Sequence, residues 1–196
     1  MTTKRALTAV AGIAAALALL AGCTPEPTIT PKPTTTQSAT PSPTATSAGA
    51  PETEGDAIEA AEATVTAYNE TIDEIAISGW TNTDLLQEVA IGLAYSQTLP
   101  GFEQLKSEGR TQTGTATLEI LDSSIAPDVN GQEFGTVSVR SCFDPSTREQ
   151  KLADGSPAPL PDPVRSIKEA SVSYFPEQGK WLVTDFGDPA SGRQEC

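Results

Sequence analysis

Three cysteines, at positions 23, 142 and 196, and the lack of any histidine set the chemistry open to this 196-residue chain. Without an imidazole there is no Ser-His-Asp or Cys-His nucleophile system and no His-ligated zinc. The side chain that ordinarily titrates near neutral pH is missing too. No GxSxG, SxxK, phosphate-cradling GxxxxGK or calcium-loop pattern occurs. Asp185-Phe186-Gly187 spells a tripeptide found in kinases, but no glycine-rich loop or catalytic loop accompanies it. What remains is tyrosine with carboxylate, since burial in an apolar site can raise a carboxyl pKa until it moves protons. Tyr68, Tyr95, Tyr174, Asp144 and Asp185 are the members available. Their spacing forms no enzyme signature, so no catalytic role is assigned, and no metal or cofactor is expected. Asp144 and Asp185 are expected to cap strand ends or to meet Arg140 and Lys180. Asp73/Glu74 and Asp84/Glu88 are expected on solvated helix faces.

The first cysteine closes a distinctive leader. Ala6 to Ala21 is a run of sixteen uncharged residues behind Lys4 and Arg5. As a helix it would reach about 24 Å, short of the ~30 Å hydrocarbon core of a bilayer. That anatomy predicts a secretory signal peptide over residues 1–22. Leu20-Ala21-Gly22-Cys23 resembles the lipobox of bacterial lipoproteins. The resemblance implies that the Cys23 thiol receives a diacylglycerol and becomes the mature N-terminus. The protein would then be exported, held by lipid on the outer face of the cell membrane. The competing reading is a short membrane anchor with an incidental cysteine, but no stop-transfer charge cluster follows. Cys142 and Cys196 remain as an even pair in an exported protein, where such pairs are ordinarily oxidised. A bond between them would close 55 residues, worth roughly 4 kcal/mol by loop-entropy reasoning. The alternative, a pair of reactive thiols, lacks a CxxC spacing and an activating histidine.

Residues 23–55 read as a disordered tether. Positions 24 to 55 hold seven Pro, ten Thr and three Ser, with Ile29 the one apolar side chain larger than alanine. Such a segment cannot bury enough surface to offset its ordering entropy. Fully extended it would span about 100 Å, enough to lift a domain off a lipid surface and into the wall. Residues 56–196 suffice for one core. With 23 acidic and nine basic side chains, this region repels phosphate backbones, so nucleic acid is not an expected partner.

Within the domain the hydrophobic period changes once. Asp56, with Glu59 behind it, is the expected cap of a first helix. Ile58, Ala61, Val65, Tyr68, Ile72 and Ile75 would share one face, and Gly79 would end it. Thr83 would cap a second helix with Leu86, Val89, Ala90 and Leu93 inward, broken at Leu99-Pro100-Gly101. A third piece would run from Phe102 to Glu108. From Thr111 the period is two. One strand is expected through Thr117 and Ile120, and a second through Val137, Val139 and Phe143, with Cys142 on its opposite face. A hairpin is expected from Ile167–Phe175 and Lys180–Phe186 around Pro176-Glu177-Gln178-Gly179. Pro145 to Pro163 would be a long loop, of the sort usually functional or disordered. Trp181, in phase with Val183, is expected in the core, and Trp80 at a cavity mouth.

Helices followed by an antiparallel sheet give an α+β class. The order resembles the NTF2-like (SnoaL-like) cone fold, N-terminal helices packed on a curved antiparallel sheet. The pattern Val137-x-Val139-x-x-Cys142-x-Asp144, Asp154-Gly155, Gly179-Lys180-Trp181-x-Val183-x-Asp185 and Cys196 is similar to actinobacterial lipoproteins of unknown function carrying such a domain. The resemblance implies a cavity between helix and sheet, and Tyr68, Trp80, Tyr95, Tyr174 and Trp181 are candidate lining residues. The functional expectation is a lipid-anchored, non-catalytic domain binding a small ligand or an envelope protein. The alternatives are a Tyr/Asp-dependent isomerase or hydrolase, and a structural accessory that uses the 145–163 loop. Cys23→Ser is expected to abolish metabolic labelling with fatty acid and to release the protein or leave it unprocessed; full retention of label would contradict the lipobox.

Overall fold

The computed structural model describes residues 49–127 and 132–196. The leader, Cys23 and residues 24–48 of the tether lie outside these residues. Helix α1 (Glu54–Ile77) begins earlier than expected because the cap is Thr53, not Asp56. The Asp56 amide donates to Thr53 Oγ1 at 3.2 Å, and the Thr53 hydroxyl donates to the Asp56 carboxylate at 2.8 Å. This reciprocal pair satisfies an otherwise orphaned helix-start N–H. The inner face carries Ala57, Ala60, Ala61, Val65, Ala67, Tyr68, Ile75 and Ala76, all buried. Its many alanines let the helix axis approach what it packs on.

At the other end Gly79 takes φ 76°. The Gly79 amide donates to the Ala76 carbonyl, and the Trp80 amide to that of Ile75. That is the paired closure of a Schellman motif, in which a left-handed residue is needed after the cap. Trp80 is left-handed too, at φ 62°, which is unfavourable for a bulky side chain. Packing compensates: the indole N–H donates to the Arg110 carbonyl at 3.1 Å and the ring lies 5.5 Å from Phe102. Trp80 is therefore a core residue rather than a cavity mouth.

The next stretch corrects two expectations. Thr83–Glu88 is a short 3-10 helix, after which residues 89–91 run beside a strand of the sheet. Leu86, Val89 and Ala90 are buried as expected, but Leu93 is exposed. Helix α2 (Gly92–Ser107) then continues straight through Pro100. A proline removes one intrahelical bond at a cost of about 3 kcal/mol. Buried Ala94 and Phe102, one on each side of it, hold the two halves in one helix.

The strands are β1 (Thr111–Thr113), β2 (Thr117–Ile125), β3 (Thr136–Asp144), β4 (Glu149–Lys151), β5 (Ser166–Phe175) and β6 (Lys180–Gly187). They form two antiparallel sheets, β2-β3-β5-β6 and the small pair β1-β4. The strand expected from Thr111 onward is thus two strands in different sheets. Gly114 divides them, at φ 70° and so close to its neighbour that a Cβ would stand 2.2 Å from the Thr147 carbonyl oxygen. The 145–163 connection is likewise not structureless, since it supplies β4. The β5–β6 hairpin turns where expected. Residues 89–91 cover the outer edge of β6, with the Ile91 amide donating to the Val183 carbonyl and the Val183 amide to that of Val89. Helix α1 packs on one face of the larger sheet, against Val137, Val139, Val172 and Val183. Among the described residues no helix is long and apolar enough to cross a membrane.

Candidate functional site

Asp73 points inward from α1 and is only 2% exposed. A buried carboxylate is stable only if its charge and lone pairs are matched. Three donors match it: Gln112 Nε2 at 2.9 Å, the Ala116 amide at 2.8 Å and Arg148 Nε at 2.6 Å. Gln112 belongs to β1, Ala116 to the β1–β2 connection, and Arg148 to the residue before β4. One carboxylate therefore fastens α1 to the whole second sheet. Gln150 of β4 extends the network, its Nε2 donating to Gln112 Oε1 at 2.7 Å. This overturns the expectation of a solvated face for Asp73. A signal was present in the sequence: Asp73 ends the i+4 row Ala61, Val65, Asn69, Asp73, and all four are buried.

Arg148 places its guanidinium 4.9 Å from the centre of the Phe143 ring. Its Nη2 is buried and has no hydrogen-bond partner among the described residues. Above the Arg148–Phe143 stack lies a cleft of about 400 Å³. Phe143, Pro145, Pro157, Ala158, Leu160 and Pro161 form its apolar wall, and Arg148, Glu149 and Lys151 supply charge. The wall stays in place because the chain after β4 folds back on it. The Leu152 amide donates to the Ser156 carbonyl and the Ala158 amide to that of Gln150, both at 2.8 Å. Leu160 is half exposed at the mouth. Lys151 has no carboxylate within ion-pair reach among the described residues, whereas Arg148 is paired to Asp73.

The aromatic residues expected to line a cavity divide unevenly. Tyr68, Trp80, Tyr174 and Trp181 are buried in the core, with Trp181 wholly enclosed and 5.6 Å from Tyr174. Tyr95 lines a shallower hollow with Gln87, Ala90, Ile91, Gln178 and Leu182. The phenol oxygens have separate surroundings. Tyr68 shares a 2.8 Å hydrogen bond with Thr98, and Tyr95 accepts from Gln87 at 3.1 Å. Burial pushes the Tyr68 phenol above its ordinary range, and the nearby Asp185 charge adds to this against the Thr98 bond. Asp185 itself lies at the surface.

Asp144 caps the end of β3, as expected, while Arg140 and Lys180 pair with carboxylates other than Asp144 and Asp185. Asp144 accepts the Ser146 amide at 2.9 Å and lies 3.7 Å from Arg165. The Ser146 hydrogen bonds hold its carboxyl below the usual range, helped by Arg165. Arg140 meets Asp122 at 2.7 Å, and Lys180 meets Glu88 at 2.5 Å. Cys142 and Cys196 form a disulfide with Cα atoms 5.9 Å apart.

No protein-family model and no curated protein matches this chain. Solved structures do match it. One is the intermembrane space region of the chloroplast protein ARC6, with a TM-score of 0.52 at 12% identity over 66% of this chain and 94% of that one. At that identity the likeness concerns the fold alone: helices on antiparallel sheet.

The Asp73–Arg148 link has a measurable consequence. Asp73→Ala should lower unfolding free energy by about 3–5 kcal/mol, because it strands a buried guanidinium. Adding Arg148→Met should recover part of that loss, giving a coupling of roughly 2 kcal/mol in a denaturation cycle. Strictly additive losses would show that the two side chains do not depend on each other.

Proposed function

We propose that the domain is a non-catalytic binding module, presented at the end of a lipid-anchored tether, and that it binds at the cleft over Phe143. The observation that carries this reading is the cleft itself, roughly the volume of a small-ligand site and largely apolar with a few fixed polar groups. Its occupant is a small molecule with an apolar body and an anionic group. Prolines, Phe143 and Leu160 receive the body. Lys151, which has no carboxylate partner among the described residues, receives the charge. Glu149 also lines the cleft, so the anionic group is oriented toward the Lys151 end.

The expectation of an NTF2-like cone is supported by a 24-residue helix lying on one face of a four-stranded antiparallel sheet. In this reading side chains fill the cone and the binding site is displaced to the appended β1-β4 sheet. The lipobox resemblance and the Thr/Pro-rich run support a tether that holds the cleft away from the membrane.

The full-length protein tests the ligand class with two dyes that share a ring system. Anilinonaphthalene sulfonate is anionic, and its parent phenylnaphthylamine is uncharged. The sulfonate should bind saturably at one site per chain. Lys151→Glu should weaken it about tenfold while changing the uncharged dye less than about twofold. Leu160→Asp should weaken both. Equal effects of Lys151→Glu on the two dyes, or none, would overturn the proposal.

A further inference from the structure

The two sulfurs of the disulfide have unlike surroundings. Cys142, in β3, is only 2% exposed, whereas Cys196 lies at the surface. Arg165 Nη2 stands 3.2 Å from Cys142 Sγ. Two carboxylates orient that guanidinium: Asp144 at 3.7 Å and Glu119, which sits opposite Cys142 in the β2–β3 register, at 3.8 Å. The segment leading to Cys196 is exposed. Besides the disulfide it is tied to β5 by the Ile167 amide, which donates to the Gln194 carbonyl at 2.8 Å. Arg193 also donates to Ser166 Oγ at 3.2 Å.

We infer that this bond is a directed site of thiol–disulfide exchange, modified at Cys196. A thiolate must approach along the S–S axis from beyond the sulfur it attacks, and only Cys196 offers solvent on that side. The incoming thiolate of a low-molecular-weight thiol or a dithiol reductant forms a new S–S bond to Cys196. The Cys142–Cys196 bond breaks, and its electron pair leaves on Cys142 Sγ as a thiolate beside Arg165. A leaving thiolate stabilised by a cation departs faster. A second thiol then releases Cys196, and the external pair is oxidised as the protein pair is reduced. The opened segment loses its covalent hold on β3, while the β2-β3-β5-β6 ladder keeps its own hydrogen bonds. The inference concerns a part of the domain distinct from the cleft and does not depend on it.

Glutathione is the probe, with the full chain and peptide mass spectrometry. The adduct should appear on Cys196 with Cys142 free. Arg165→Gln should slow the exchange roughly three- to tenfold, and Arg165→Lys should restore most of the rate. Arg140→Gln, which removes a cation elsewhere on the sheet, should leave it unchanged. Arg165 is half exposed, so these variants should fold, and circular dichroism checks this. Glutathione on Cys142, or an Arg165→Gln rate equal to the wild type, would overturn the inference. So would an equal slowing by Arg140→Gln, because it would mean that overall charge, not the leaving group, sets the rate.

Discussion

Asp73 is a carboxylate almost wholly withdrawn from water, and the architecture around it follows from that constraint. Ionised carboxylates are tolerated in an interior only when several donors converge on them. Here three donors come from two stretches of chain, 112–116 and Arg148, both remote in sequence from Asp73. Their convergence converts a short two-stranded ribbon, marginal on its own, into a fixed appendage of the helix–sheet body. Gly114 makes the arrangement sterically feasible, because nothing larger fits between β1 and the chain at Thr147.

The cleft inherits its shape from the same link. Arg148 is held on one side by Asp73 and on the other lies over Phe143, so its guanidinium forms a rigid floor. The proline-bearing wall then folds back onto β4 through two backbone hydrogen bonds. A site built on residues that cannot move independently loses little entropy when a ligand enters. In the core between α1 and the larger sheet, Tyr68 and Trp181 are almost fully withdrawn from solvent. The proposed binding site therefore lies at the edge of a packed body.

Much of the fold was readable in the amino-acid order, and the failures have physical causes. The 3.6-residue period of α1, the β5–β6 hairpin with its four-residue turn, and the pairing of Cys142 with Cys196 all rest on local or compositional rules. They agree with the structure. The misreadings arise where tertiary contacts override those rules. Pro100 looks like a helix end, yet flanking buried residues carry α2 past it. Thr111 to Ile120 looks like one strand, yet a close backbone approach at Gly114 splits it. The 145–163 stretch looks like a loop because β4 is three residues long and pairs with a strand some forty positions away. Asp73 looks like a surface charge because carboxylates usually are. Its place on a buried i+4 row was the available clue, but its partners could not be known without the fold.

The central claim is that Asp73 couples the β1-β4 ribbon and its cleft to the rest of the domain. Hydrogen exchange of the full chain, compared with that of Asp73→Ala under native conditions, tests it most directly. The account predicts that Thr111–Thr113, Ala116 and Glu149–Lys151 lose their protection in the variant, while the amides shared by β3 and β5 keep most of theirs. Equal loss across both sheets, or no change in β1 and β4, would contradict it.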